Sequence, residues 1–155
     1  MNKKLKYLDA VSEDHTFLSE TAINSKRFWG YSSEQINLWR PDLVISKEYI
    51  LRNKVVKVYD HDEFIGFFGV KLDENNEAEI DHLWLIPEKI KKGYGRLIFH
   101  HILEHLRSDG HKSATLVAEP NAKGFYAKMG GKVIGNIKGK VSDRYLDIYE
   151  YKLTK

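Results

Sequence analysis

Between Lys54 and Ile86 the apolar residues fall into three blocks, Lys54–Tyr59, Phe64–Leu72 and Glu77–Ile86, separated by the polar stretches Asp60–Glu63 and Asp73–Asn76. Connections this short cannot hold a helix, so each strand must turn back on the one before it, which predicts an antiparallel meander. Pro87 ends the third block, and after a lysine-rich loop the period changes to that of a helix. Gly93 opens this helix, which should bury Leu97, Ile98, Ile102, Leu103 and Leu106, and Asp109-Gly110 stops it. Upstream, Leu5–Leu8 predicts a first strand, and a helical pattern runs from Ser12 through Phe17, Leu18, Thr21 and Ala22. Ser32 and Gln35 have the spacing of a capping box ahead of Ile36, Trp39 and Leu43, so two helices are expected before the meander. Downstream come a strand at Ser113–Ala118, a short helix at Asn121–Met129, and strands near Lys132–Ile137 and Tyr145–Leu153. The order β-α-α-β-β-β-α-β-α-β-β predicts an α/β fold, with a mixed, mostly antiparallel central sheet flanked by helices.

Composition narrows the chemistry. A chain of 155 residues suits a single domain, 1–155, and 42% hydrophobic residues supply its core. Cysteine is absent, which excludes disulfides, thiolate metal sites and a cysteine nucleophile. The net charge of +3 is dispersed, so no nucleic-acid partner is expected. The longest apolar stretch, Phe64–Val70, is far below the roughly 18 residues that span a bilayer, which predicts a cytoplasmic protein with no membrane partner. His101 and His105 are one helical turn apart but have no third ligand at suitable spacing, so no metal is expected.

The segment Leu83-Trp-Leu-Ile-Pro-Glu-Lys-Ile-Lys-Lys-Gly-Tyr-Gly-Arg96 is the most informative about function. A strand enters a basic, glycine-containing turn that becomes the first turn of a helix. Unpaired amides, the helix dipole and the charges of Lys91, Lys92 and Arg96 together suit a pyrophosphate. No Gly-Lys-Ser/Thr follows, which rules out a Walker loop, and the third glycine of a dinucleotide fingerprint is missing.

Ile90-Lys-Lys-Gly93-Tyr-Gly95, in place after a strand ending near a proline, resembles the acetyl-CoA motif of the GCN5-related N-acetyltransferase (GNAT) superfamily. Glu119-Pro-Asn121-Ala-Lys-Gly-Phe-Tyr126-Ala-Lys-Met-Gly130 is similar to the superfamily's second signature. The resemblance covers about Val55 to Val133, and Phe28-Trp-Gly-Tyr31 with Trp39 resembles a branch acting on small molecules. It implies acetyl-CoA as co-substrate. Backbone groups of Leu83, Trp84 and Leu85 would pair with pantetheine where the fourth and fifth strands splay apart. Amides of Lys92, Gly93, Tyr94, Gly95 and Arg96, with the Lys91 charge, would hold the pyrophosphate; Asn121 would contact the pantetheine arm, and Tyr126 would sit beside the thioester sulfur. Two residues depart from the family pattern: Ile90 replaces the usual Gln or Arg, and Gly131 stands where Phe is common.

Acetyl transfer needs a neutral amine, and a primary amine of pKa near 10.4 is deprotonated only about 0.04% of the time at pH 7, a deficit of about 4.6 kcal/mol. Asp81 and Glu79 are the candidate bases, because they share a strand face with Leu83 and Leu85, whereas His82 lies on the opposite face. Tyr126 would stabilise the leaving thiolate by a hydrogen bond. Trp29, Tyr31 and Trp39 are expected to wall the acceptor site for a small-molecule amine. The expected activity is N-acetylation of a primary amine by direct attack. The alternatives are a protein N-terminal acetyltransferase and a non-catalytic CoA-binding regulatory domain, and the resemblance leaves room for a homodimer through the last strands.

Overall fold

A computed structural model of the chain describes residues 4–72, 75, 77–139 and 144–154. Along the chain the elements are β1 (Leu5–Asp9), α1 (His15–Arg27), α2 (Ser33–Leu43), α3 (Lys47–Arg52), β2 (Lys54–Asp60), β3 (Glu63–Leu72), β4 (Ala78–Leu85), α4 (Tyr94–Ser108), β5 (Ser113–Val117), α5 (Lys123–Lys128), β6 (Lys132–Lys138) and β7 (Tyr145–Lys152). Single 3-10 turns at Ser12–Asp14 and Pro87–Lys89 precede α1 and α4. The strands hydrogen-bond in the order β1-β2-β3-β4-β5-β7-β6. β4 and β5 run parallel, whereas β1–β2, β2–β3, β5–β7 and β6–β7 are antiparallel, so the sheet is mixed and mostly antiparallel as expected. Of the expected turn Asp73–Asn76, only Asn75 lies among the described residues.

Two local expectations need correcting. A third helix, α3, lies ahead of the meander; Ser46 caps it by accepting from the Tyr49 N–H at 3.0 Å. Its six residues bury only Ile50, too little to print a helical period. On α4 the buried stripe is Ile98, Phe99, Ile102 and Leu106, with Phe99 0% exposed, whereas Leu97 is 37% exposed. Ile98, Ile102 and Leu106 are buried as the periodicity predicts, and Phe99 is buried where Leu97 was expected, its ring supplying the larger apolar surface.

The chain divides into two compact units, and β4 contributes to both. The first comprises Met1–Val70 and His82–Gly95. Its core holds Leu18 and Ala22 of α1, Ile36 and Leu43 of α2, and Val55, Val58, Ile65 and Phe67 of β2 and β3. The expected capping box forms: Ser32 Oγ accepts from the Gln35 N–H at 3.2 Å, and Gln35 Oε1 accepts from the Ser32 N–H at 3.1 Å. Ser19 Oγ accepts from the Ile45 N–H at 2.7 Å, tying the chain after α2 to α1. Between β2 and β3 the register shifts, with Val58 opposite Gly66 but Tyr59 opposite Phe64. The extra residue, Ile65, uses its carbonyl to accept from the Ile86 N–H at 2.9 Å.

The second unit comprises Lys71–Asp81 and Arg96–Lys155. Phe99 of α4 is packed with Tyr151 at 4.9 Å between ring centroids, Tyr126 at 5.6 Å and Phe125 at 6.0 Å. Alternation along β5 and β7 buries Ala114, Leu116, Tyr149 and Tyr151.

Gly66 has a steric role within the first unit. A Cβ there would lie 2.2 Å from the Trp84 carbonyl oxygen and 3.0 Å from Leu85 Cα, both backbone atoms that cannot rotate away. Gly66→Ala is expected to lower unfolding stability by at least about 2 kcal/mol, measured by chemical denaturation, because the two strands would have to separate.

Candidate active site

β4 alternates between buried Ala78, Ile80 and His82 and partly exposed Glu79, Asp81 and Leu83, so both carboxylates lie on the more open face. Its parallel ladder with β5 comprises Ala78–Ala114 and Glu79–Thr115, and among the described residues no such pair involves Leu83–Leu85. On the other face, the Trp84 indole N–H donates to His82 Nδ1 at 2.9 Å. Indole is only a donor, so Nδ1 must be bare and the ring proton must sit on Nε2. A base acting at Nε2 would need the opposite tautomer and would lose this bond. In this tautomer His82, edge-on to Tyr49 at 5.3 Å, packs as a ring whose Nε2 carries the proton.

Beyond β4 the chain passes through the Pro87–Lys89 turn and Ile90, then reaches Lys91 at φ +65° and Gly93 at φ +89°. A non-glycine residue in the left-handed region costs about 1–2 kcal/mol, so the loop has a definite shape. A Cβ on Gly93 would meet nothing within 4 Å, which leaves open space in front of the turn. The first amides of α4, at Tyr94, Gly95 and Arg96, have no intrahelical acceptor and carry the positive end of the helix dipole. The basic run is divided: Lys89 Nζ pairs with Glu63 at 2.8 Å, and Lys91 Nζ lies 5.5 Å from the Trp29 ring centroid. Lys92 and Arg96 are exposed.

In the second unit, Tyr126 of α5 lies against Phe99 and 5.2 Å from Phe125. Its carbonyl accepts from the Tyr151 hydroxyl at 2.6 Å and from the Gly131 N–H at 3.2 Å. Burial pushes the Tyr126 phenol up to about 12, with the Glu119 charge acting in the same direction. Among the described residues no hydrogen bond occupies its hydroxyl. Asn121 is exposed and oriented by Glu119, whose carboxylate accepts from its N–H at 2.5 Å and from Nδ2 at 3.4 Å. Glu119 stands in the second signature, two residues before Asn121, but the sequence assigned it no role of its own.

The aromatic residues near α2 form two pairs. Phe28 and Trp29 meet edge-on at 5.1 Å, and Tyr31 and Trp39 at 4.6 Å. Lys26 Nζ lies 4.3 Å from the Trp39 centroid and 5.3 Å from that of Tyr31, so this second pair already holds an ammonium. A lysine in a last helical turn reads as solvated, and nothing in the sequence marks Lys26 as buried. Trp29, Tyr31, Trp39, Leu83–Leu85 and Lys91–Gly95 belong to the first unit, where Lys91 lies by Trp29 and Tyr31 meets Trp39; Glu79, Asp81, Arg96, Asn121 and Tyr126 belong to the second. Among the described residues no group of three or more His, Asp or Glu could hold a metal, and no helix is long and apolar enough to cross a membrane.

A model of the Acetyltransferase (GNAT) family matches residues 19–131, well over half of the chain. The chain belongs to the GNAT acetyltransferase family. An uncharacterised N-acetyltransferase of Pyropia yezoensis is 24% identical over 137 residues, covering 83% of this chain and 79% of the relative. Among solved structures, the PaiA N-acetyltransferase of Thermoplasma acidophilum, in complex with coenzyme A, is 25% identical with a TM-score of 0.75, covering 96% of this chain and 99% of that one. A ribosomal-protein alanine N-acetyltransferase of Escherichia coli shares the fold at 12% identity, with a TM-score of 0.73 and coverage of 98% and 96%. This GNAT chain is accordingly an acetyl-CoA-dependent acetyltransferase acting on an amine.

Gly131 follows from its surroundings: a Cβ there would lie 2.7 Å from the Tyr151 ring and hydroxyl and 2.8 Å from the Tyr149 ring. The two tyrosines hold α5 from β7, Tyr151 through the Tyr126 carbonyl and Tyr149 through that of Lys123 at 3.3 Å. Tyr151→Phe is expected to cost about 1 kcal/mol of unfolding stability by removing one of these bonds, measured by denaturant titration.

Proposed function

We propose that this GNAT enzyme acetylates the primary amine of a small molecule by direct attack on the thioester, with Asp81 as general base, Glu79 beside it, and Tyr126 stabilising the leaving thiolate. The observation that carries this reading is the course of β4: it pairs with β5 at Ala78 and Glu79, then runs through Leu83–Leu85 into a positive-φ loop at the head of α4. Acetyl-CoA supplies the activated acetyl group. Backbone groups of Leu83, Trp84 and Leu85 bind its pantetheine arm as an added strand, with Asn121 as a side-chain contact. Amides of Lys92, Gly93, Tyr94, Gly95 and Arg96 hold the pyrophosphate, with Lys91 adding charge. The open space before Gly93 fits this use.

Asp81 takes the ammonium proton and leaves the nitrogen lone pair free. Tyr126 acts by hydrogen bonding: moving its proton from a phenol near 12 to a thiolate near 8.5 would be uphill by about 5 kcal/mol. A bond that strengthens as charge grows on sulfur needs no such transfer. Trp29 and Tyr31 keep exposed surface for the acceptor, and Trp39 packs against Tyr31. Lys26 already lies over Trp39 and Tyr31, so the acceptor would meet the surface that Trp29 and Tyr31 leave exposed.

Tyr126→Phe is expected to lower kcat about 10- to 100-fold at saturating acetyl-CoA. Because burial raises its pKa, the phenol keeps its proton as pH rises and loses it only near 12. Any descending limb of kcat between about pH 8 and 10 should therefore persist in Tyr126→Phe. Asp81→Asn should lower kcat/KM for the acceptor about 100- to 1000-fold. Thiol release from acetyl-CoA, measured across a panel of small amines and of peptides with free N-termini, tests the acceptor class. Faster turnover of the peptides would replace the small-molecule reading with protein N-terminal acetylation.

A further inference from the structure

The turn between β2 and β3 touches both ends of the phosphate loop. Asp60 and Glu63 face each other across a two-residue hairpin turn, His61-Asp62, with His61 at φ +57°. Asp60 Oδ2 accepts from the Tyr94 hydroxyl at 2.5 Å, and Glu63 Oε1 pairs with Lys89 Nζ at 2.8 Å. Lys89 and Tyr94 bracket Ile90–Gly93, the stretch containing the two positive-φ residues. The two contacts differ in shelter. Tyr94 is 5% exposed and the Asp60 side chain 19%, whereas the Glu63 side chain is 60% exposed. Water screens the outer pair, so the Asp60–Tyr94 bond is the firmer tie.

We propose that Asp60 is a positioning residue for the pyrophosphate of acetyl-CoA, acting through the Tyr94 hydroxyl; the inference rests on the reading that Lys91–Arg96 hold that group. Tyr94 is the first residue of α4, so fixing its side chain fixes the direction of its own amide and those on either side. A loop with a left-handed lysine keeps its shape only where its surroundings over-determine it, and Asp60 supplies that restraint from a different element. A preformed loop binds more tightly than one that must be ordered by its ligand. Asp60 needs no contact with the ligand for this effect, and Glu63 reinforces it through Lys89.

The test is calorimetric titration of the whole chain with CoA and with acetyl-pantetheine, which lacks the pyrophosphate, alongside steady-state kinetics. Wild-type protein should bind CoA much more tightly than acetyl-pantetheine. Asp60→Ala is expected to weaken CoA binding about five- to tenfold and raise KM for acetyl-CoA in step. Its kcat at saturating acetyl-CoA should stay within about twofold of wild type, and its affinity for acetyl-pantetheine should be unchanged. Asp60→Asn keeps an acceptor oxygen and should recover most of the loss. Tyr94→Phe removes only the hydroxyl and should weaken CoA binding as far as Asp60→Ala does, with the double variant no weaker than either alone; it carries the affinity test if Asp60→Ala does not fold. Wild-type CoA affinity in both single variants, or equal weakening toward both ligands, overturns the proposal while leaving the phosphate loop in place. Failure of wild-type protein to distinguish the two ligands overturns the phosphate-loop reading and this inference together.

Discussion

A strand inside a sheet presents N–H and C=O groups along both edges, and each needs a partner. Toward β5, β4 finds one at Ala78 and Glu79. The residues that follow keep extended geometry, which makes their backbone suited to an extended polar chain that can complete the ladder. On the side of β3, approach is close enough that only glycine fits at position 66, and the bulge residue Ile65 takes the Ile86 N–H. The strand holding the candidate base residues also leads directly into the positive-φ loop at the head of α4, to which the proposal assigns the cofactor's anionic end.

Electrostatics sorts lysines that look alike in the sequence. Lys89 is committed to Glu63, Lys91 stands by the face of Trp29, and Lys26 lies buried over Trp39 and Tyr31. A row of basic residues is therefore not one positive patch. Lys89 braces the loop, Lys91 lies by one aromatic ring, and the buried Lys26 lies by two others. Tyr126 shows the same dependence on surroundings, since burial raises its pKa.

Much of this architecture was legible in the sequence because periodicity and turn chemistry are local. The meander followed from two four-residue polar interruptions, and the capping box at Ser32 followed from a spacing of three. α3 was not legible, since six residues burying one apolar side chain leave no periodic trace. On α4 the aliphatic positions gave most of the buried face but left out Phe99, which centres an aromatic cluster drawn from α5 and β7. Site residues divided along the same line. The turn into α4 could be read from consecutive residues, whereas the Asp60 bond to Tyr94 joins positions 34 apart and depends on side-chain reach. Glu119 lay within a recognised motif, but its two effects, on Asn121 and on Tyr126, become visible only with the chain folded.

Gly131 has a consequence for protein engineering. Restoring a family's commonest residue at an unusual position is a standard route to added stability. At this position it would fail, because the volume that a phenylalanine needs is already filled by Tyr149 and Tyr151. Those tyrosines also hold α5, so making room by shrinking them would release the helix carrying Tyr126. The small residue and its two large neighbours form one packing solution, and a consensus substitution that changes only the first would destabilise the fold it was meant to strengthen.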